Sequence, residues 1–199
     1  MYIAQRMTAF LTRRGIITED KKTAEIYEYG FELILGDLVN FAIILLISGV
    51  LQGIGTGLLY LFCFVSVRIF SGGFHAKTHF RCGLAMVVFY LVFAALCRGL
   101  SFVGAETILI GTALAYVPVI CCSPVVNENR PLGEREQRRN KKRAVILYTL
   151  WAALAAVFVL FGTEAGKIIF SALWVISINI IFARTVRLME RSERNGKFY

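Results

Sequence analysis

Residues 33–52, LILGDLVNFAIILLISGVLQ, form a predominantly apolar stretch of the length that crosses a lipid bilayer. The hydrocarbon core of a bilayer is about 30 Å thick and requires about 20 apolar residues in an α-helix. Further apolar runs, the shortest of them close to the lower length limit, cover residues 54–70, 84–104, 107–122, 144–162 and 168–183. These runs are continuous rather than alternating, so they favour membrane helices over the strands of a membrane barrel.

The composition agrees with a membrane protein. Hydrophobic residues make up 57% of the 199 residues, more than a soluble domain of this size needs for its core. Basic residues precede the first apolar run and no small-residue cleavage site follows a short core, so we expect a retained membrane span rather than a signal peptide. The sequence predicts an all-α integral membrane protein with six transmembrane helices over residues 33–183.

The net charge of +9 is distributed unevenly along the chain. Five of the 22 lysines and arginines precede the first span, three lie in residues 68–83, seven in residues 123–143 and five in the tail, residues 184–199. Loops rich in lysine and arginine stay in the cytoplasm. This alternation predicts a multi-pass membrane protein with both termini and both basic loops cytoplasmic. It indicates a lipid bilayer, and no nucleic acid, as the partner of these charges.

Residues 1–32 precede the first predicted span. In residues 1–14 the side chains of Ile3, Met7 and Phe10 fall near one face of a helix, whereas the arginines lie elsewhere. This weakly amphipathic pattern is typical of a helix that lies on an anionic membrane surface. We therefore expect an amphipathic, cytoplasmic helical segment before the membrane domain.

Residues 68–82, RIFSGGFHAKTHFRC, contain both histidines of the chain and one of its five cysteines. The spacing of His75, His79 and Cys82 leaves three interpretations open. The three side chains suit a zinc site, a histidine and a cysteine suit nucleophilic catalysis, or the loop has no chemical role. Gly72 and Gly73 favour catalysis, because a flexible glycine turn lets backbone amides approach a substrate carbonyl.

Polar residues also interrupt the apolar runs. Glu32, Asp37 and Asn40 fall within about 140° of the circumference of one helix. Such residues at membrane depth face a protein interior or a water-filled cavity. An alternative function is therefore a small membrane transporter or exporter, with Asp37, Asn40, Asn179 and the histidines along its path.

The pattern Arg68…Gly72-Gly73-Phe74-His75-Ala76-Lys77…Cys82 resembles the signature of the accessory gene regulator B family. Members of that family are integral-membrane cysteine endopeptidases of bacterial quorum sensing, which process a precursor peptide into a cyclic autoinducer. Residues 15–40, GIITEDKKTAEIYEYGFELILGDLVN, resemble the segment that leads into the first span of the family. Residues 123–143, SPVVNENRPLGEREQRRNKKR, resemble its proline-containing basic cytoplasmic loop.

The resemblance implies that His75 is the catalytic histidine and Cys82 the nucleophile, both on the cytoplasmic side. It implies neither a metal nor another cofactor, and His79 has no counterpart in the family. The implied partner is a precursor peptide with an amphipathic N-terminus and an acidic C-terminal tail, released as a thiolactone or a lactone. The oligomeric state stays open, a homodimer included.

The resemblance also implies supporting residues around the catalytic pair. Positions that matter in the family fall on Arg68, Gly73 and Glu32, and Gly72 belongs to the same glycine turn. A third residue that orients His75 is not identified by the sequence, and Glu32 and Asp37 are the two candidates.

Overall fold

The computed structural model describes residues 2–17, 20–73, 79–100, 102–126 and 132–196, which form seven α-helices. These are α1 (Tyr2–Arg13), α2 (Lys21–Leu51), α3 (Ile54–Ser71), α4 (His79–Leu100), α5 (Ala105–Cys122), α6 (Glu134–Leu160) and α7 (Glu164–Gly196). Within the described ranges, extended pairing is limited to one isolated bridge between Gly72 and Val125. The prediction of an all-α protein is confirmed.

Helices α2 to α7 are each long and apolar enough to cross a membrane. The candidate spans are Thr23–Leu51, Ile54–Ser71, Arg81–Leu100, Ala105–Cys122, Glu134–Leu160 and Glu164–Ser192. The prediction of six membrane helices is confirmed. When consecutive helices cross in opposite directions, the α3–α4 connection, the α5–α6 connection and the end of α7 lie at the same end of the bundle. We call this the basic end, after the lysines and arginines of residues 68–83, 123–143 and 184–196.

Several helices extend beyond the apolar runs that predict them. Helix α2 begins at Lys21, so residues 21–32 form its first turns and run directly into the first span. Helix α6 begins at Glu134, inside the basic loop, and α7 continues to Gly196. Glutamate, lysine and arginine are good helix formers, so these helices need not end where the apolar sequence ends.

Helix α7 is the centre of the bundle. Within its apolar window 61% of the residues are buried, against 11% for α2. It packs against α3, α4, α5 and α6. Its fully buried side chains, such as Phe170 and Leu173, belong to one core with the aromatic rings of Tyr60 and Phe93, whose centroids lie 4.4 Å apart. A polar residue on α7 is therefore enclosed by protein rather than by lipid.

Small residues allow close approach where the helices pack. A Cβ atom on Gly57 of α3 would lie 2.6 Å from Oγ of Ser48 on α2. A Cβ atom on Gly111 of α5 would overlap the ring of Trp174 on α7, whose Nε1 donates a hydrogen bond to Oγ1 of Thr112 at 3.0 Å. Such contacts are typical of membrane helices, which associate through packing and interhelical hydrogen bonds.

Helix α1 packs on α2 through a face that includes the buried residue Ala4. The adjacent face leaves Ile3, Met7 and Phe10 exposed. These three residues and Phe31 of α2 line part of a groove of about 520 Å³. A helix at the amino terminus is thus confirmed, and its place on a membrane surface stays a prediction.

Candidate active site at the α3–α4 connection

Arg68 lies on the last turn of α3 and extends towards α4. Its Nη1 atom donates to the sulfur of Met86 at 2.8 Å, and its Cζ atom lies 5.6 Å from the centroid of the Phe64 ring. Met86 and Cys82 are four residues apart on α4 and therefore lie on one face of that helix. The guanidinium group thus lies about one helical turn from the level of Cys82.

Gly72 ends α3 and joins it to the segment that follows α5. Its φ of 69° lies in the left-handed region that favours glycine. The bridge partner of Gly72 is Val125, whose backbone N–H donates to the carbonyl of Ser71 at 2.9 Å. A Cβ atom on Gly72 would overlap the carbonyl oxygen of Val125. Only glycine fits here without displacement of the backbone.

Gly73 is buried against the side chain of Asn179 on α7. A Cβ atom on Gly73 would overlap Oδ1 of Asn179 and would lie 3.4 Å from Nε of Arg68. Gly72 and Gly73 thus lie at closely packed positions, and the approach of their backbone amides to a substrate carbonyl stays a prediction. Both residues are glycine because neighbouring atoms occupy the space of a side chain.

Cys82 lies on the first turn of α4 and is half-buried. The next residue, Gly83, packs against α2, because a Cβ atom there would lie 2.7 Å from Oδ1 of Asn40. Helix α2 thus contacts the start of α4 at Gly83, and Arg68 of α3 contacts α4 one turn later at Met86. A thiol at this position is shielded by protein yet partly accessible from the basic end.

Neither histidine side chain lies in the part of the chain that the structure describes. His75 lies outside the described residues. His79 is the first residue of α4, but its side chain is also outside the described part. The distance between His75 and Cys82 therefore stays a prediction from the sequence.

The two acidic candidates on α2 differ in exposure. Glu32 is half-buried, whereas Asp37 is exposed on the outer face of the helix. Asn40, one of the three polar residues predicted on one side of this span, contacts Gly83 at the start of α4.

A protein-family model, Accessory gene regulator B, matches residues 4–183. The chain belongs to the accessory gene regulator B family. An AgrB-like protein of Listeria innocua serovar 6a is 28% identical over 203 residues, which cover 99% of this chain and 95% of the relative. An AgrB-like protein of Clostridium beijerinckii is 23% identical over 201 residues, or 100% of this chain and 96% of the relative. No solved structure matches the chain.

Membership of the family supports a role in agr quorum sensing, and the family is known for peptide processing. It implies an autoinducer precursor as the substrate and a membrane context for its processing. The resemblance seen in residues 68–82 is confirmed, and the match extends across all six spans.

Two features of the site are missing from the sequence prediction. Asn179 was assigned only to the path of a transporter, yet it contacts the glycine turn. The sequence signal for this residue is its polarity, because Asn179 lies within the apolar run 168–183. The pairing of Val125 with Gly72 gave no local signal, because it joins segments that are far apart in the chain.

Proposed function

We propose that the protein is a membrane-embedded cysteine endopeptidase that cleaves a quorum-sensing precursor peptide and releases it as a cyclic autoinducer. One observation carries the proposal. Cys82 is a half-buried thiol on the first turn of α4, the helix that follows a turn in which neighbouring atoms require glycine at two positions. In a member of the accessory gene regulator B family, this arrangement supports Cys82 as the nucleophile and His75 as its base.

The mechanism begins with transfer of the Cys82 Sγ proton to the imidazole of His75. The thiolate attacks the carbonyl carbon of the cleaved peptide bond, and the electron pair of the C=O bond moves to the oxygen. When the intermediate collapses, the amine of the C-terminal fragment leaves with the proton from the imidazolium. The N-terminal part of the precursor remains attached to Cys82 as a thioester.

Release requires a second nucleophile within the bound peptide. A cysteine thiol of the precursor gives its proton to His75 while its sulfur attacks the thioester carbonyl, and collapse of the intermediate displaces the Cys82 thiolate and closes a thiolactone ring. A hydroxyl group in its place gives a lactone. Water would instead give a linear acid, so the partial burial of Cys82 favours cyclisation over hydrolysis.

Arg68 is proposed to position the substrate. A guanidinium group carries five N–H donors in a fixed plane and binds carbonyl and carboxylate oxygens well. From its contact with Met86, the side chain of Arg68 lies along the face of α4 that carries Cys82. Glu32 is proposed to support the same region, and the exposed Asp37 has no observed contact with it among the described residues.

The transporter alternative has no specific support among the described residues. The two asparagines that it placed along a path, Asn40 and Asn179, each contact a glycine next to the proposed catalytic residues. Both asparagines therefore belong to the surroundings of the proposed peptidase site.

The proposed mechanism uses a thiol and no metal, and this can be tested directly. We take a variant that keeps Cys82 as its single cysteine, reconstitute it in vesicles with a candidate precursor peptide that has an amphipathic N-terminus, a central cysteine and an acidic C-terminal tail, and measure product masses. Cleavage is expected to survive a strong chelator and to be lost to a thiol alkylator. His75→Ala should reduce the rate by roughly 10²- to 10⁴-fold, as loss of a general base does.

The second histidine is the matched control for this test. His79→Ala is expected to retain most of the activity, because the family has no counterpart of His79. Loss of cleavage in chelator that added Zn²⁺ restores would instead support the zinc interpretation of His75, His79 and Cys82.

The proposed cytoplasmic site predicts a definite topology. In a background without native cysteines, Gly55→Cys and Thr163→Cys should react with a membrane-impermeant thiol reagent on intact cells. Both residues are exposed at the end opposite the basic end. Glu134→Cys, and Cys82 in a variant that keeps it alone, should react only after permeabilisation. Rapid labelling of Cys82 from outside would contradict a cytoplasmic active site.

A further inference from the structure

Asn179 is an amide side chain in the most buried helix of the bundle. It is 2% exposed, and Ile176 and Ile180 on the same helix are fully buried. A polar group inside a membrane domain is costly unless it is paired. Polar side chains inside a membrane domain are rare and are commonly functional.

The amide of Asn179 is directed at the proposed active site. Its Oδ1 atom occupies the space that a Cβ atom on Gly73 would need, and Nε of Arg68 lies 3.4 Å from that same position. Arg68 continues from there to Met86, one turn from Cys82. Asn179 and Met86 therefore both lie near the side chain of Arg68, and Met86 is one helical turn from Cys82.

The other amide atom, Nδ2, has no hydrogen-bond partner within the described part of the chain. The other buried polar side chains described on α7 are paired. Ser177 donates to the carbonyl oxygen of Ala115 and to that of Leu173, and Ser171 donates to the carbonyl oxygen of Lys167 at 2.9 Å. An unpaired buried donor costs free energy, so its presence at the glycine turn points to a ligand that accepts from it.

We propose that Nδ2 of Asn179 donates a hydrogen bond to the carbonyl oxygen of the peptide bond that Cys82 attacks. This role rests on the proposed endopeptidase function. When Sγ adds to the carbonyl carbon, negative charge develops on that oxygen, and a fixed amide donor stabilises it. Asn179 suits this task because a packed helix holds its amide in place before the substrate binds.

The test compares Asn179→Leu with the wild-type protein in vesicles. Leucine has a similar size and suits a membrane interior, but it has no donor. We expect kcat/KM for cleavage of the same precursor peptide to fall between about 10-fold and 100-fold, the effect of one lost hydrogen bond to a charged group. Thermal stability should be unchanged or higher, because an unpaired buried donor has been removed. Asn179→Ala provides a second variant with the same expected loss.

Ser177→Ala is the matched control on the same helix. It removes a buried hydroxyl that is already paired within the protein, so we expect lower thermal stability and an unchanged kcat/KM per folded molecule. A double variant, Gly73→Ala with Asn179→Ala, separates packing from chemistry. If Asn179 only filled space at Gly73, the double variant would recover the activity that Gly73→Ala loses, whereas the proposal predicts that it stays impaired.

The outcomes distinguish the two proposals. Cleavage that survives Cys82→Ala would contradict the endopeptidase mechanism, and the role of Asn179 with it. Cleavage that depends on Cys82 but stays within about threefold of wild type in Asn179→Leu would contradict the role of Asn179 alone. A loss of rate that is matched by a loss of thermal stability would also overturn that role, because it would show a structural residue.

Discussion

Cys82→Ala is expected to abolish precursor cleavage while the protein still inserts into the membrane at normal levels. Removal of the nucleophile leaves no atom that forms the thioester, so we expect the rate to fall by at least roughly 10⁴-fold. Alanine fills most of the half-buried position on the first turn of α4, so the helix should persist. Mass analysis of the precursor and its products after co-expression measures the loss.

The four other cysteines are natural controls for this experiment. Cys97 lies about 22 Å further along α4 at 1.5 Å per residue, and Cys63 is fully buried in the core. Cys121 and Cys122 end α5 at the basic end, so Cys122, half-buried next to Ser123, is the strictest control. Each alanine variant should retain cleavage. Substantial cleavage by Cys82→Ala would show that another group attacks the precursor.

The membrane domain could be predicted because its cause is local in the sequence. A run such as residues 33–52 must bury its backbone hydrogen bonds in a helix, whatever its neighbours are. The ends of the helices are less predictable. Helix α2 begins at Lys21 and α6 at Glu134, inside segments that are polar but have good helix formers.

The candidate site was predictable only where its residues are close in the chain. Arg68, the glycine turn and Cys82 lie within one short stretch, so their proximity follows from the sequence. The requirement for glycine does not, because it arises from Val125 and Asn179, which reach the turn from distant segments. Polar residues in apolar runs mark Asn40 and Asn179 as unusual, but only the packed bundle identifies what they contact.

Gly72→Ala is expected to lower precursor cleavage by more than roughly 10²-fold. The new Cβ atom would overlap the carbonyl oxygen of Val125, which belongs to the backbone and cannot rotate away. The φ of 69° adds about 1–2 kcal/mol for a residue other than glycine. The turn must therefore shift, and a shift of about 1 Å at catalytic groups can cost 10²-fold in rate. Cleavage assays on reconstituted protein, together with thermal unfolding in detergent, measure both effects.

Two other glycines provide controls that distinguish backbone strain from steric overlap. Gly15 has a φ of 67° but no atom within 4 Å of its Cβ position, so Gly15→Ala shares the strain of Gly72→Ala without the overlap. Gly99, on α4, has neither feature. We expect both variants to cleave at nearly the wild-type rate. If Gly72→Ala is no worse than Gly15→Ala, the contact with Val125 does not hold the catalytic turn. If Gly72→Ala alone loses cleavage, the segment after α5 helps to position the turn that precedes His75.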